Sequence, residues 1–80
     1  MKINTPSTKK NIIGERLKTY RKQNKITQED LAARLQIKGL TLDRTAISKI
    51  ERGERLVADY EVIALAKSLK VDVKWLLTGK

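Results

Sequence analysis

Residues 43–53 read DRTAISKIERG, and this stretch decides the fold because it has the pattern of a helix with two different flanks. At about 100° per residue, one flank is mainly apolar and carries Ala46, Ile47, Ile50 and Glu51. The opposite flank is polar and carries Thr45, Lys49 and Arg52. The apolar flank is predicted to pack against the protein's own core. The polar flank is either an ordinary solvated face or a surface that contacts another molecule, and the neighbouring sequence has to decide between them.

The composition limits the classes of function. Eighty residues are enough for one small domain with a modest core. The chain has no cysteine and no histidine, so disulfides, thiolate ligands and the commonest general base are missing. No glycine-rich loop that could hold a phosphate group is present. We therefore expect no metal, no cofactor and no enzymatic activity.

The charge predicts a polyanionic partner. Eighteen Lys and Arg residues oppose nine Asp and Glu residues, for a net charge of +9, which favours nucleic acid or an anionic membrane surface. Residues 1–25 hold eight of the basic residues and one acidic residue, so the surplus lies before and along the first helical segment. Attachment to a membrane through this segment is the weakest alternative, because the apolar residues of the first helix are needed to form the core. For four lysines in this segment we predict a solvated basic surface, with phosphate contact as the alternative. They are Lys9, Lys10, Lys18 and Lys22.

No segment of the sequence predicts insertion into a membrane. No apolar run approaches the ~20 residues that span a bilayer. The N-terminal segment MKINTPSTKKN lacks the apolar stretch of a signal peptide. We therefore expect a soluble, cytoplasmic protein without a membrane partner, associated with the nucleoid if it binds DNA.

The rest of the chain has the periodicity of short helices. Residues 1–10 are predicted to form a flexible basic arm, and residues 11–80 one domain. The five predicted helices are preceded by polar capping residues, namely Asn11, Thr27, Asp43, Asp59 and Asp72. Gly53 and Gly79 are predicted to end the third and fifth helices. Because no segment alternates like a strand, the fold class is all-α, a compact bundle of five short helices.

The second and third helices have the outline of a helix-turn-helix, in which the second helix of the pair enters the DNA major groove. The second helix is predicted to run from Gln28 to about Gln36, and the third begins after Asp43. The connector IKGLTL, residues 37–42, makes this a lengthened turn, since three or four residues are usual. The crossing angle of the two helices and the DNA contacts near the connector therefore stay open. Leu40 and Leu42 are expected to fold back onto the core.

The outer side of the third helix carries the residue types that read bases. Arg and Lys suit the O6/N7 edge of guanine, while Thr and Ser donate, accept or touch a thymine methyl group. The N-terminus of the second helix, with Gln28, is expected to meet a phosphate. The predicted base-reading residues are Arg44, Thr45, Ser48 and Lys49.

Two runs give the chain a specific resemblance. IGERLKTYRKQNKITQEDLAARL, followed by TAISKIERGER, resembles the phage-repressor and Cro-type helix-turn-helix family, the lambda-repressor-like domain, over residues 12–78. The resemblance implies base-reading roles for the same four residues of the third helix. It implies phosphate contacts at Gln28, Arg52 and Arg55, to which we add Thr27 and Lys38 from the helix start and the connector. It also implies an inward salt bridge between Arg21 and Glu51, and Glu51 on the inner flank needs such a cationic partner.

These patterns predict a sequence-specific transcriptional regulator that binds double-stranded DNA. Repression is the favoured mode of action, and the choice between repression and activation stays open. We expect a homodimer, at least on DNA, that reads a near-palindromic site. The alternative is a protein-interaction module, like an antitoxin or an adaptor, with weak DNA contact. Its partner would bind the apolar C-terminal helix. There, Trp75, Leu76 and Leu77 are expected to close the core, with a dimer surface as the alternative.

Overall fold

The computed structural model describes residues 9–80, and in these residues all regular secondary structure is helical. The helices are α1 (Gly14–Gln23), α2 (Gln28–Ile37), α3 (Arg44–Glu51), α4 (Asp59–Leu69) and α5 (Val73–Thr78). The prediction of an all-α bundle of five short helices is confirmed. Within the same residues, no helix is long and apolar enough to cross a membrane.

The core contains side chains from all five helices and from the segment before α1. α2 packs against α3 and α4, while α1 packs against α3 and α5 packs against α4. Ile47 and Ile50 of α3 are completely buried, so the apolar flank predicted for this helix is confirmed. The other fully buried large side chains are Ile13, Leu17, Leu31, Leu35, Leu65 and Leu76.

Three of the predicted caps are present. Thr27 Oγ1 accepts from the Asp30 amide at 3.0 Å, and the Asp30 carboxylate accepts from the Thr27 amide at 3.2 Å, which forms a capping box. Asp43 Oδ1 accepts from the Ala46 amide at 2.8 Å at the start of α3. Asp72 Oδ1 caps α5 by accepting from the Lys74 amide at 2.8 Å. The sequence therefore locates the beginning of both helices of the helix-turn-helix.

Two predicted caps are wrong. α1 is capped at Ile13 rather than at Asn11, although Asn11 Oδ1 still accepts from the Gly14 amide at 2.8 Å. α4 is capped at Ala58 rather than at Asp59. There the Glu61 carboxylate turns back and accepts from the Ala58 amide at 2.9 Å, so an acid inside the first turn satisfies the helix end.

The lengthened turn is an ordered segment between α2 and α3. Gly39 has a φ of +86° and ends α2, where the Leu40 amide donates to the Leu35 carbonyl at 3.0 Å. This is the 6→1 bond of a Schellman motif, which favours glycine at the left-handed position. Leu42 is buried and Leu40 is half-buried against the core, as predicted. The connector is therefore anchored to the core by two leucines.

The end of α3 joins the N-terminal segment to the bundle. Gly53 has a φ of +75°, and the Glu54 amide beyond it donates to the Lys49 carbonyl at 2.8 Å. The Lys10 amide donates to the Gly53 carbonyl at 2.8 Å, and Lys9 Nζ donates to the Arg52 carbonyl at 3.1 Å. The last two residues of the predicted flexible arm are thus part of the folded unit, while its residues 1–8 lie outside the described part of the chain.

Candidate nucleic-acid interface

The outer flank of α3 is polar and open to solvent. Arg44, Thr45 and Lys49 are exposed, and Ser48 is half-buried. The helix turns these side chains away from Ile47 and Ile50, so the four predicted base-reading residues share one accessible surface.

A cleft lies beside this flank, between α1, the N-terminus of α2 and α3. It brings residues predicted to contact phosphate together with residues predicted to read bases. Its cationic and neutral polar lining includes Lys18, Lys22, Thr27, Gln28, Arg44 and Ser48. A second, smaller depression on the other side of α3 contains Thr45, Lys49 and Arg55. Lys38 lines neither depression and is exposed on the connector.

A buried ion pair forms the floor of the cleft. Arg21 Nε donates to Glu51 Oε2 at 2.6 Å and Nη2 donates to Oε1 at 3.0 Å, while Nη1 donates to the Ile26 carbonyl at 2.8 Å. The two side chains are only 9% and 2% exposed. Gln28 Nε2 also donates to Glu51 Oε1 at 3.0 Å. One carboxylate therefore connects α1, α2 and α3 and orients Gln28 at the start of α2.

Two further ion pairs lie at the surface of the interface. Arg44 Nη1 is 3.4 Å from Glu29 Oε1, with both side chains about 70% exposed. Arg52 is held more closely, because Nε and Nη2 donate to the two carboxylate oxygens of Glu54 at 3.0 and 3.2 Å. Arg52 Nη1 also donates to the Ser48 hydroxyl. The hydrogen bond from Arg52 lowers the pKa of the Glu54 carboxyl, and the same bond raises the pKa of Arg52.

Arg55 has structural partners instead of a free guanidinium. Its Nη1 and Nη2 donate to the two oxygens of Glu61 at 3.0 Å each, and Nη1 also donates to the Leu56 carbonyl at 2.9 Å. Glu61 is buried, and the hydrogen bond from Arg55 lowers its pKa, although burial opposes the shift. This pair links the segment after α3 to the start of α4.

Comparisons with known proteins agree with this architecture. The profile of the helix-turn-helix domain matches residues 14–80. The chain belongs to the helix-turn-helix domain family. This helix-turn-helix chain is 44% identical over 69 residues to the control protein C.SmaI of Serratia marcescens. The aligned residues make up 86% of this chain and 76% of that protein. It is 36% identical over 72 residues to the HTH-type transcriptional regulator DicA of Escherichia coli (strain K12), which covers 90% of the chain but only half of DicA.

A solved structure shares the fold. The crystal structure of the P22 c2 repressor in complex with the synthetic operator 9T superposes with a TM-score of 0.72 at 31% identity, over 88% of this chain and 98% of the repressor chain. The phage-repressor resemblance and the fold class are both confirmed by these matches.

Sequence reasoning missed some features of the helix-turn-helix surface. Lys18 and Lys22 are exposed, as predicted, but the sequence did not place them beside the cleft that they line. Their i, i+4 spacing beside Arg21 was the available signal. In the C-terminal helix, Leu76 is buried and Trp75 packs edge-on against Tyr20 with ring centroids 5.5 Å apart. Other large apolar side chains are more exposed, among them Ile37, Leu56, Tyr60 and Ile63. Among residues 9–80, no cluster of acidic side chains could hold a metal ion.

Proposed function

We propose that this chain is a sequence-specific DNA-binding transcriptional regulator that acts as a repressor. The observation that carries the proposal is the exposed polar flank of α3 beside a cleft whose lining has five cationic side chains against two carboxylates, Glu29 and Glu51. The relatives support it, since one is named a transcriptional regulator and another is a repressor in complex with an operator. The protein would act as a non-enzymatic regulator in the cytoplasm, on the nucleoid.

In this proposal α3 lies in the major groove and presents side chains to the base edges. Arg44 and Lys49 would bind guanine O6 or N7, and Thr45 and Ser48 would contact neighbouring bases. The N-terminus of α2 would face a phosphate, where backbone amides and a partial positive charge favour an anion. Phosphate contacts are proposed for Thr27, Gln28 and Lys38, and for the cleft residues Lys18 and Lys22.

Arg52 and Arg55 fit a phosphate-binding role less well. Each was predicted to contact phosphate, but each already has a carboxylate partner, Glu54 or Glu61. A phosphate would have to replace that carboxylate, and it would meet the repulsion of the displaced acid. We therefore assign Arg55 to the fold and consider Arg52 separately below.

Repression would follow from occupancy of the site. A homodimer would place its two α3 helices in successive major grooves, roughly 34 Å apart, on a near-palindromic site. Such a complex excludes other proteins from the same stretch of DNA. Selection of bound sequences from a random DNA pool would test this directly, because the recovered sites report sequence, symmetry and half-site spacing together.

Replacement of Arg44 by alanine tests the base-reading role. On the selected site, Arg44→Ala is expected to cost about 1–3 kcal/mol of binding free energy and to relax the preference at one base position. Lys74→Ala on α5 is the matched control, because it removes one positive charge from an exposed position outside the cleft. Titration of labelled duplexes that differ at single positions gives the result. Full affinity together with full base preference in Arg44→Ala would show that Arg44 is not a reader.

The alternative of a protein-interaction module has one structural feature in its favour. Leu56, Tyr60 and Ile63 expose apolar surface after α3 and on α4. If this were the main function, the chain would show no measurable DNA binding even at low salt. A DNA-binding regulator should instead bind at low salt and lose affinity steeply as salt is added, because bound phosphates release counterions.

A further inference from the structure

The Ser48 hydroxyl has an unusual position for a side chain predicted to read bases. It lies on the outer flank of α3, one turn before Arg52, and it accepts a hydrogen bond from Arg52 Nη1. Within residues 9–80 the same hydroxyl donates to no acceptor. Its proton is therefore available to a molecule that binds the outer flank.

The guanidinium that donates to Ser48 is itself fixed. Glu54 accepts from Nε at 3.0 Å and from Nη2 at 3.2 Å, so hydrogen bonds engage all three nitrogens of Arg52. Glu54 is placed for this by the turn at Gly53, where its own amide donates to the Lys49 carbonyl at 2.8 Å. These contacts place the guanidinium beside the Ser48 hydroxyl.

A hydroxyl in this environment favours donation over acceptance. A serine hydroxyl has one proton and two lone pairs, and Arg52 already occupies one lone pair. Hydrogen bonds in a chain polarise one another, so a cation that donates to Oγ makes the O–H a stronger donor and a weaker acceptor. The Glu54–Arg52–Ser48 chain therefore gives the outer flank a directed donor.

We propose that Glu54 and Arg52 are positioning residues that make Ser48 a hydrogen-bond donor to a base edge, so that the base facing Ser48 must offer an acceptor. Guanine, adenine and thymine all do so in the major groove, whereas cytosine presents only its N4 amino donor. This inference rests on the proposed function and assigns one specificity rule within it: cytosine is rejected opposite Ser48.

The experiment uses the full chain and the site selected from a random DNA pool. Affinities of the wild type and of Ser48→Ala, Arg52→Ala and Glu54→Gln are measured on duplexes that carry each of the four bases at each position. Lys74→Ala is the control for the charge lost in Arg52→Ala. Glu15→Gln, an exposed position on α1, is the control for the charge gained in Glu54→Gln. Thermal unfolding of each variant shows whether it is folded.

The expected result is a single position in each half-site where the wild type binds the cytosine duplex roughly threefold to tenfold more weakly, the effect of one hydrogen bond. Ser48→Ala should bind all four bases there with similar affinity. Arg52→Ala and Glu54→Gln should reduce the discrimination at that same position, while the two controls change affinity equally for every duplex.

Three results would overturn the inference. Cytosine could be the preferred base at the position that Ser48→Ala affects, or Ser48→Ala could affect no position. Arg52→Ala could also lower affinity for all duplexes equally and keep the ranking of bases, which would make Arg52 a phosphate contact. A wild type without base preference at any position is a separate result, because it contradicts the proposed function itself.

Discussion

Four arginine–glutamate pairs allow the inside of this molecule to be compared with the surface proposed to face DNA. Two pairs include a buried carboxylate and connect separate parts of the chain, namely Arg21–Glu51 and Arg55–Glu61. Two pairs are exposed on the outer side of the helix-turn-helix, namely Arg44–Glu29 and Arg52–Glu54. The functional groups are the same in all four, so the differences between them come from burial and from the number of hydrogen bonds in each pair.

Burial decides how much free energy is lost when an arginine leaves its carboxylate partner. A buried charge that loses its partner is left in a medium of low dielectric constant, and no water replaces the partner. An exposed pair loses little when it opens, because water solvates both groups. The buried pairs therefore fix the geometry of the helices. Of the two exposed arginines, Arg44 has a single 3.4 Å contact with Glu29 and is the one we expect to change partners on DNA, whereas Arg52 has two bonds to Glu54 and one to Ser48.

The largest effect expected from this comparison concerns Arg21. Arg21→Ala leaves Glu51 buried without its cation and removes the donor to the Ile26 carbonyl, so it should cost about 3–5 kcal/mol of unfolding free energy. Urea denaturation at pH 7 measures this loss. Lys22→Ala, one residue further along α1 and exposed, is the matched control and should unfold like the wild type. A loss below about 1 kcal/mol in Arg21→Ala would show that burial does not distinguish the pairs.

A smaller effect, with a characteristic pH dependence, is expected at Glu61. Glu61→Gln should cost about 1–3 kcal/mol at neutral pH, because Arg55 loses a charged acceptor. The folded protein lowers the pKa of Glu61, so this stabilisation is present above the ordinary glutamate pKa of 4.5 and is lost as the pH falls through the lower folded pKa.

The measurement is the difference in unfolding free energy between wild type and Glu61→Gln along a pH series. The difference should shrink below pH 4.5 as the wild-type carboxylate takes up its proton. Glu54→Gln is the control, because the pKa of Glu54 is also lowered but the side chain is exposed, so its pair adds little to stability. If this difference stayed constant across the pH series, the charge of Glu61 would not be the cause of the stabilisation.

Sequence reasoning succeeded where helical geometry determines the answer. The period of 3.6 residues puts Ile47 and Ile50 on the inner flank of α3, and the structure buries both. The same period puts Glu51 beside them, and a buried carboxylate needs a cation, which Arg21 supplies. The caps of α2 and α3 followed from side chains that reach nearby amides.

The sequence did not predict which carboxylate pairs with an arginine when several charged residues lie nearby. Arg52 and Glu54 are two residues apart, a spacing at which side chains do not meet along a helix, and they meet here because Gly53 turns the chain between them. Glu61 is six residues after Arg55 and lies in the first turn of α4, beyond an irregular connection, so its bond to Arg55 depends on tertiary structure. Periodicity identifies the exposed face of a helix but does not determine the ion pairs on that face.

The smallest effect on stability is expected for Arg44, which also gives the sharpest test of the comparison. Its contact with Glu29 is a single 3.4 Å approach between exposed side chains, so Arg44→Ala should change the unfolding free energy by less than about 0.5–1 kcal/mol. The same substitution is expected to weaken binding to the selected DNA. Arg21→Ala should do the reverse and lose stability first, so urea denaturation and DNA titration on the two variants should give opposite rankings. If Arg44→Ala destabilised the fold as much as Arg21→Ala, the Arg44–Glu29 pair would be part of what stabilises the bundle. Arg44 would then not be free to exchange Glu29 for DNA.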